Sequence, residues 1–114
     1  MLKEAHGIRK VIIACGKTDL RRGIDGLATA VRLNYGMDPL EEGTLFLFCG
    51  TRKDRIKALL YDGGDGFLLL YKRLTDGKYQ WPMTPGEARD ITGEQYRRLM
   101  EGFTIEGTIR IRRE

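Results

Sequence analysis

At 114 residues the chain is long enough for one domain with a real core and too short for two. Its 41% hydrophobic and 32% charged residues are the composition of an ordinary soluble globular protein, while twenty basic against sixteen acidic residues, a net charge of +4, favour an acidic partner. No window comes near the roughly eighteen consecutive apolar residues of a membrane span, and MLKEAHGIRK at the start lacks an apolar signal core, so the expected location is the cytoplasm.

Taken in order, Ile8 to Ala14 reads as a short strand, β-branched at Val11, Ile12 and Ile13. Cys15-Gly16-Lys17-Thr18 follows and then a helix, an order that suggests a phosphate-binding loop. The full pattern needs a glycine where Val11 stands, so nucleotide hydrolysis is excluded here. What survives is a candidate anion site of Lys17, Arg21 and Arg22 at a helix start capped by Thr18 or Asp19. The alternative is that Arg21 and Arg22 simply pair with Asp19 and Asp25. Leu20, Ile24, Leu27, Ala28 and Val31 form one stripe of a helix from about Leu20 to Asn34, closed by Gly36 as a left-handed cap.

The stretch from Gly43 to Pro82 holds most of the strand-like sequence. Thr44 to Cys49 is an unbroken apolar run, as in a strand covered on both faces. Arg55 to Tyr61 and Phe67 to Leu74 are joined by Gly63-Gly64-Asp65-Gly66, and Asp76-Gly77 signals a second hairpin into a short strand ending at Pro82. The expectation is a four-stranded antiparallel meander. With Asp62 opposite Phe67, Lys57 faces Lys72, Ile56 faces Arg73, and Lys72 faces Trp81; a slip of one residue moves the pairs but keeps the charges together. Arg52, Lys53, Arg55, Lys57, Lys72, Arg73 and Lys78 thus make a basic end of the sheet, with Tyr79 and Trp81 beside it. Cations for phosphates and rings for bases are the means by which proteins hold nucleic acid strands. The bland alternative is a solvated face balanced by Asp54, Asp62 and Asp76, with Lys72 lying over Trp81.

Met83 to Asp90 contains Pro85-Gly86 and no periodicity, and reads as a loop. Thr92 with Gln95 then forms a capping box for a second helix ended by Gly102, with Tyr96, Leu99, Met100 and Phe103 on its apolar side and Arg97 and Arg98 facing out. The tail from Thr108 to Glu114 alternates apolar and basic residues, as an edge strand or a basic arm would. The expected whole is a single domain over 1–114, with a compact core over about 8–82 and a loop, helix and basic tail over 83–114. Its fold class is α/β (α+β), a mainly antiparallel sheet of about five strands packed by one main helix, with a second C-terminal helix.

Catalytic chemistry finds little support. His6 is the only histidine, there is no nucleophile elbow, and Cys15 and Cys49 read as buried thiols rather than a disulfide or metal ligands. Asp19, Asp25, Asp54 and Asp62 could hold Mg²⁺ for phosphodiester cleavage, yet each has a simpler role at a helix or strand end. The expectation is no enzyme, no cofactor and no metal.

Cys15-Gly16-x-Thr18-Asp19-x-Arg21-x-Gly23-x-Asp25-Gly26-Leu27, followed by Leu45-Phe46-x-Phe48, Asp54-Arg55-Ile56-Lys57, Asp62, Gly66-Phe67, Tyr71-Lys72-Arg73-Leu74, Gly77 and Trp81-Pro82, resembles the small accessory protein of bacterial insertion sequences of family sixty-six, the TnpB or Orf2-like proteins. The chain departs from that pattern at Gly50-Thr51, where Asn-Arg is common, and at Tyr61, where Trp is common. The resemblance implies a role in DNA transposition beside a separate transposase that carries the catalytic acids. Three functions follow as expectations: a non-catalytic DNA-binding accessory protein; an assembly protein that docks on the transposase without touching DNA; and, last, a metal-dependent nuclease.

Overall fold

Runs such as Val11-Ile12-Ile13 and Leu45-Phe46-Leu47-Phe48 carry apolar side chains on both sides of a strand, so the sheet they form must be covered on both faces. The computed structural model describes residues 7–105. Within them the order is β1 (Lys10–Lys17), α1 (Ile24–Tyr35), β2 (Thr44–Cys49), β3 (Arg55–Tyr61), β4 (Phe67–Arg73), β5 (Ala88–Ile91) and α2 (Gly93–Met100). The strands form one sheet in the order β4-β3-β2-β1-β5. β1 and β2 run parallel, with α1 as the crossover such a pair requires. The other three pairings are antiparallel, so the expected α+β fold with a mainly antiparallel sheet is the one the chain adopts.

Side chains alternate between two cores. Ile12, Ala14, Phe46, Phe48 and Leu59 pack on Leu27, Ala28 and Val31 of α1. Val11, Ile13, Leu45, Leu47, Ile56 and Ala58 point the other way, onto Tyr79, Trp81, Ile91, Leu99 and Ile105. Residues beyond 82 therefore contribute to the second core, through Ile91, Leu99 and Ile105.

Four local expectations are corrected. The segment after β4 is not a fourth strand of a meander: it passes across the sheet, where the Tyr79 N–H donates to the Lys53 carbonyl at 2.7 Å and the indole Nε1 of Trp81 donates to the Ala14 carbonyl at 2.9 Å. Burying two large rings outweighs adding a short edge strand, whose contribution depends on the little it could cover. The stretch read as a loop contains β5, paired to β1 with Val11 opposite Ile91 and Ala14 opposite Ala88. Helix α1 begins four residues later than its stripe suggests, with Gly23 as its N-cap and no side-chain cap. In place of a first turn, Asp19 Oδ1 accepts from the Arg21 N–H at 3.1 Å, an Asx turn that takes the backbone out of the helix. Leu20 still packs on the α1 core. Finally, Phe103 lies beyond α2, half exposed, with the Arg98 guanidinium 5.2 Å from its ring; Arg98 itself is partly buried rather than facing out.

Other readings stand. Gly36 adopts φ 64° and closes α1, and α2 starts at Thr92 in a capping box, with Gln95 N–H donating to Thr92 Oγ1 at 3.0 Å and Thr92 N–H to Gln95 Oε1 at 2.9 Å. The parallel register of β1 on β2 shifts between Ile13 and Lys17, where Gly16 sits at φ 82° and donates to the Pro82 carbonyl at 2.8 Å. A side chain there would be strained in this left-handed region. The basic tail over 108–114 and His6 lie outside the described residues.

Cys15 and Cys49 are both buried, and neither is in a disulfide among the described residues. Burial pushes the Cys49 thiol up from 9.0 to about 12. Because the folded pKa is the higher one, the thiol's contribution to stability is complete below pH 9 and is lost as pH rises toward 12. Folded protein is expected to leave Cys49 unmodified by a thiol reagent at pH 8, and urea to expose it; rapid labelling without denaturant would contradict this burial.

Candidate nucleic-acid interface

The β3–β4 hairpin sets which charges share a face. Its first pair is Tyr61 with Phe67, and the Asp62 N–H closes the loop on the Gly66 carbonyl at 2.6 Å. The register is thus one step from Asp62 opposite Phe67. Lys57 faces Tyr71, Ile56 faces Lys72, and Arg55 faces Arg73. A slip of one residue exchanges the faces of a strand. Arg55, Lys57, Tyr71 and Arg73 therefore lie on the α1 side, while Lys72 lies on the opposite side with Ile56 and Leu70.

This face continues into an open groove of about 590 Å³, lined by Thr18 to Arg21, Gly50 to Arg52, Arg55, Lys57, Leu69 and Tyr71. The groove is built where the β1–α1 loop meets the β2–β3 turn. The Lys57 ammonium donates to the Arg22 carbonyl at 2.9 Å, tying β3 to the first of these segments, and the Thr18 N–H donates to the Cys49 carbonyl at 2.7 Å, tying it to the second. Two basic sets that are some thirty residues apart in sequence, Arg21 in one and Arg52, Arg55 and Lys57 in the other, thus line one concavity.

Two carboxylates shape the charge. Arg21 donates to Asp19 through Nε and Nη2, both at 2.9 Å, and this guanidinium holds the Asp19 carboxyl down at about 2. Arg55 grips Asp54 at 2.8 and 3.2 Å and lowers its pKa likewise. Both acids stay ionised near neutral pH, with their lone pairs turned to guanidinium groups. The Arg55–Asp54 pair also relieves the repulsion between Arg55 and the Arg73 opposite it. Arg52 and Arg73 are exposed, and Tyr71 is 54% exposed with the Lys57 ammonium 5.7 Å from its ring centroid.

Two expected stacking residues are withdrawn from the surface. Tyr79 is 1% and Trp81 5% exposed, edge to face at 6.4 Å, so neither offers a ring to a base. Their apolar bulk is needed by the second core. Tyr71 is the aromatic that the groove presents instead; strand alternation signals it once the register is known. Lys53, at φ 62° in the β2–β3 turn, and Lys78, next to Tyr79 whose N–H reaches the Lys53 carbonyl, lie at the turn but outside the groove wall. Lys17 is exposed at the end of β1. The Arg22 stem covers Gly26, where an added Cβ would meet it at 3.1 Å. Among the described residues no three His, Cys, Asp or Glu side chains cluster as metal ligands would.

The model of the family described as IS66 Orf2 like protein matches residues 9–110. The chain belongs to this family. Similar curated proteins come from Sinorhizobium fredii (strain NBRC 101917 / NGR234): uncharacterized protein y4hO is 36% identical over 103 residues, covering 90% of this chain and 87% of the relative. Uncharacterized protein y4jC is 31% identical over 103 residues, 90% of this chain and 86% of the relative. No solved structure matches. An IS66 Orf2-like protein is an accessory protein of transposition, and the groove residues Asp19, Arg21, Arg55, Lys57 and Tyr71 all lie within the matched span. No helix among the described residues is long and apolar enough to cross a membrane.

Proposed function

We propose that this IS66 Orf2-like protein serves transposition by binding DNA along the groove, without cutting it. Arg52, Arg55, Lys57 and Arg73 meet phosphates, Arg21 closes the far wall, and the element's transposase, its other partner, supplies the chemistry. One observation carries the reading: the hairpin cations and the β1–α1 loop converge on a single open groove rather than being scattered over the surface. Its lining holds Arg21, Arg52, Arg55 and Lys57 against the single carboxylate of Asp19, and such an excess of positive charge in a concavity draws a polyanion. The carboxylates that a nuclease would need are turned to Arg21 and Arg55.

The reading is tested by fluorescence anisotropy on duplex from the element's terminal repeat across a salt series. A log–log slope of about −4 to −5 is expected, since each phosphate neutralised contributes about −0.9. Lys57→Ala with Arg73→Ala should flatten that slope by about 2, while Lys72→Ala, on the other face, should not change it. Undiminished binding by the double variant would sink the assignment. No binding at low salt would instead favour an assembly protein that docks on the transposase, with DNA touched only by the complex.

A further inference from the structure

We infer that the groove seats an unpaired nucleotide of a DNA strand, its base against Tyr71 and its phosphate between Arg21 and Arg52, so that the protein prefers DNA with a single-stranded end. This rests on the DNA-binding reading above. Phosphate contacts alone need no apolar wall, yet this groove has one: Leu20, Leu69 and the ring of Tyr71 line it together with the cations. Its volume, about 590 Å³, leaves room for a nucleotide in this open groove.

The ring is also held in advance. Lys57, anchored on the Arg22 carbonyl, stands over Tyr71, its ammonium 5.7 Å from the ring centroid. A fixed ring loses little freedom when a base stacks on it. Gly50 keeps the floor low, because a Cβ there would stand 3.2 Å from Leu20 and 3.4 Å from Arg55. Base stacking on an aromatic ring accepts any base, which suits a strand end of varied sequence.

The test compares three labelled probes at one salt concentration: a blunt duplex, the same duplex with a short 3′ overhang, and a single strand. The overhang and the single strand should bind about tenfold more tightly than the blunt duplex. Tyr71→Ala should erase that difference and Tyr71→Phe should keep it, the ring being what stacks. Equal binding of all three probes by the parent protein, or a preference that survives Tyr71→Ala, overturns this inference and leaves the DNA-binding reading standing. Failure to bind any of the three overturns both.

Discussion

Trp81→Ala is expected to lower the free energy of unfolding by about 3–5 kcal/mol, a large share of the about 5–15 kcal/mol that holds a domain folded. The indole is 5% exposed, stands edge to face with Tyr79, and donates to the Ala14 carbonyl from the segment that follows β4. Truncation removes a large apolar surface, opens a cavity between the sheet and α2, and leaves a strand carbonyl without its donor. Tyr79→Phe makes the contrast. The Tyr79 hydroxyl is buried with no hydrogen-bond partner among the described residues, and burial pushes its pKa up to about 12. Removing that oxygen keeps the ring and relieves an unpaired polar group, so this variant should match or exceed the parent in stability. Urea unfolding followed by tryptophan fluorescence measures Tyr79→Phe, and far-UV circular dichroism measures Trp81→Ala. A loss under about 1 kcal/mol in the latter would mean that residues 75–82 do not belong to the core.

The sheet's interior was legible because Leu45 to Cys49 is apolar at every position, and a run of that length between Gly43 and Gly50 fits a strand covered on both sides. The capping box of α2 was equally plain, since Thr92 and Gln95 satisfy each other's backbone at a fixed spacing. What could not be read was pairing that depends on distant partners. β5 is four residues, Ala-Arg-Asp-Ile, with no pattern of its own; the open edge of β1 specifies it. The parallel pairing of β1 with β2 leaves no turn signal, because the chain returns through α1. The Asp76-Gly77 turn did signal a hairpin, yet the core on the face away from α1 claimed the aromatic residues that follow it.

The site was half legible for a related reason. Its charges are plain in sequence, but their faces follow from a single step of register. Pairing Asp62 with Phe67 puts Lys57 and Lys72 on one face, whereas the observed pairing of Tyr61 with Phe67 replaces Lys72 by Tyr71. That step exchanged a supposed cluster of like charges for a cation beside a ring. The contribution of Arg21 was visible only as a separate anion site, since nothing local says that the β1–α1 loop folds back beside β3.

Reversing the two exposed groove-side cations, Arg52→Glu with Arg73→Glu, should reduce DNA affinity by at least a hundredfold at about 0.1 M salt. Arg52 lines the groove and Arg73 continues its face on β4, so each change removes a phosphate contact and adds a repelling carboxylate. Neither side chain is buried, so the fold should survive, as a surface substitution usually alters stability by no more than about 0.5 kcal/mol. Arg21 and Arg55 are poorer choices: each is paired to a carboxylate, and removing one would unbalance Asp19 or Asp54 as well as the groove. The salt series tests whether these side chains sit at the phosphates. If they touch phosphates, the two titrations should differ in slope by about 2, because two fewer counterions are released. Parallel lines of equal slope would place the DNA elsewhere on the molecule, with the hairpin cations serving another partner.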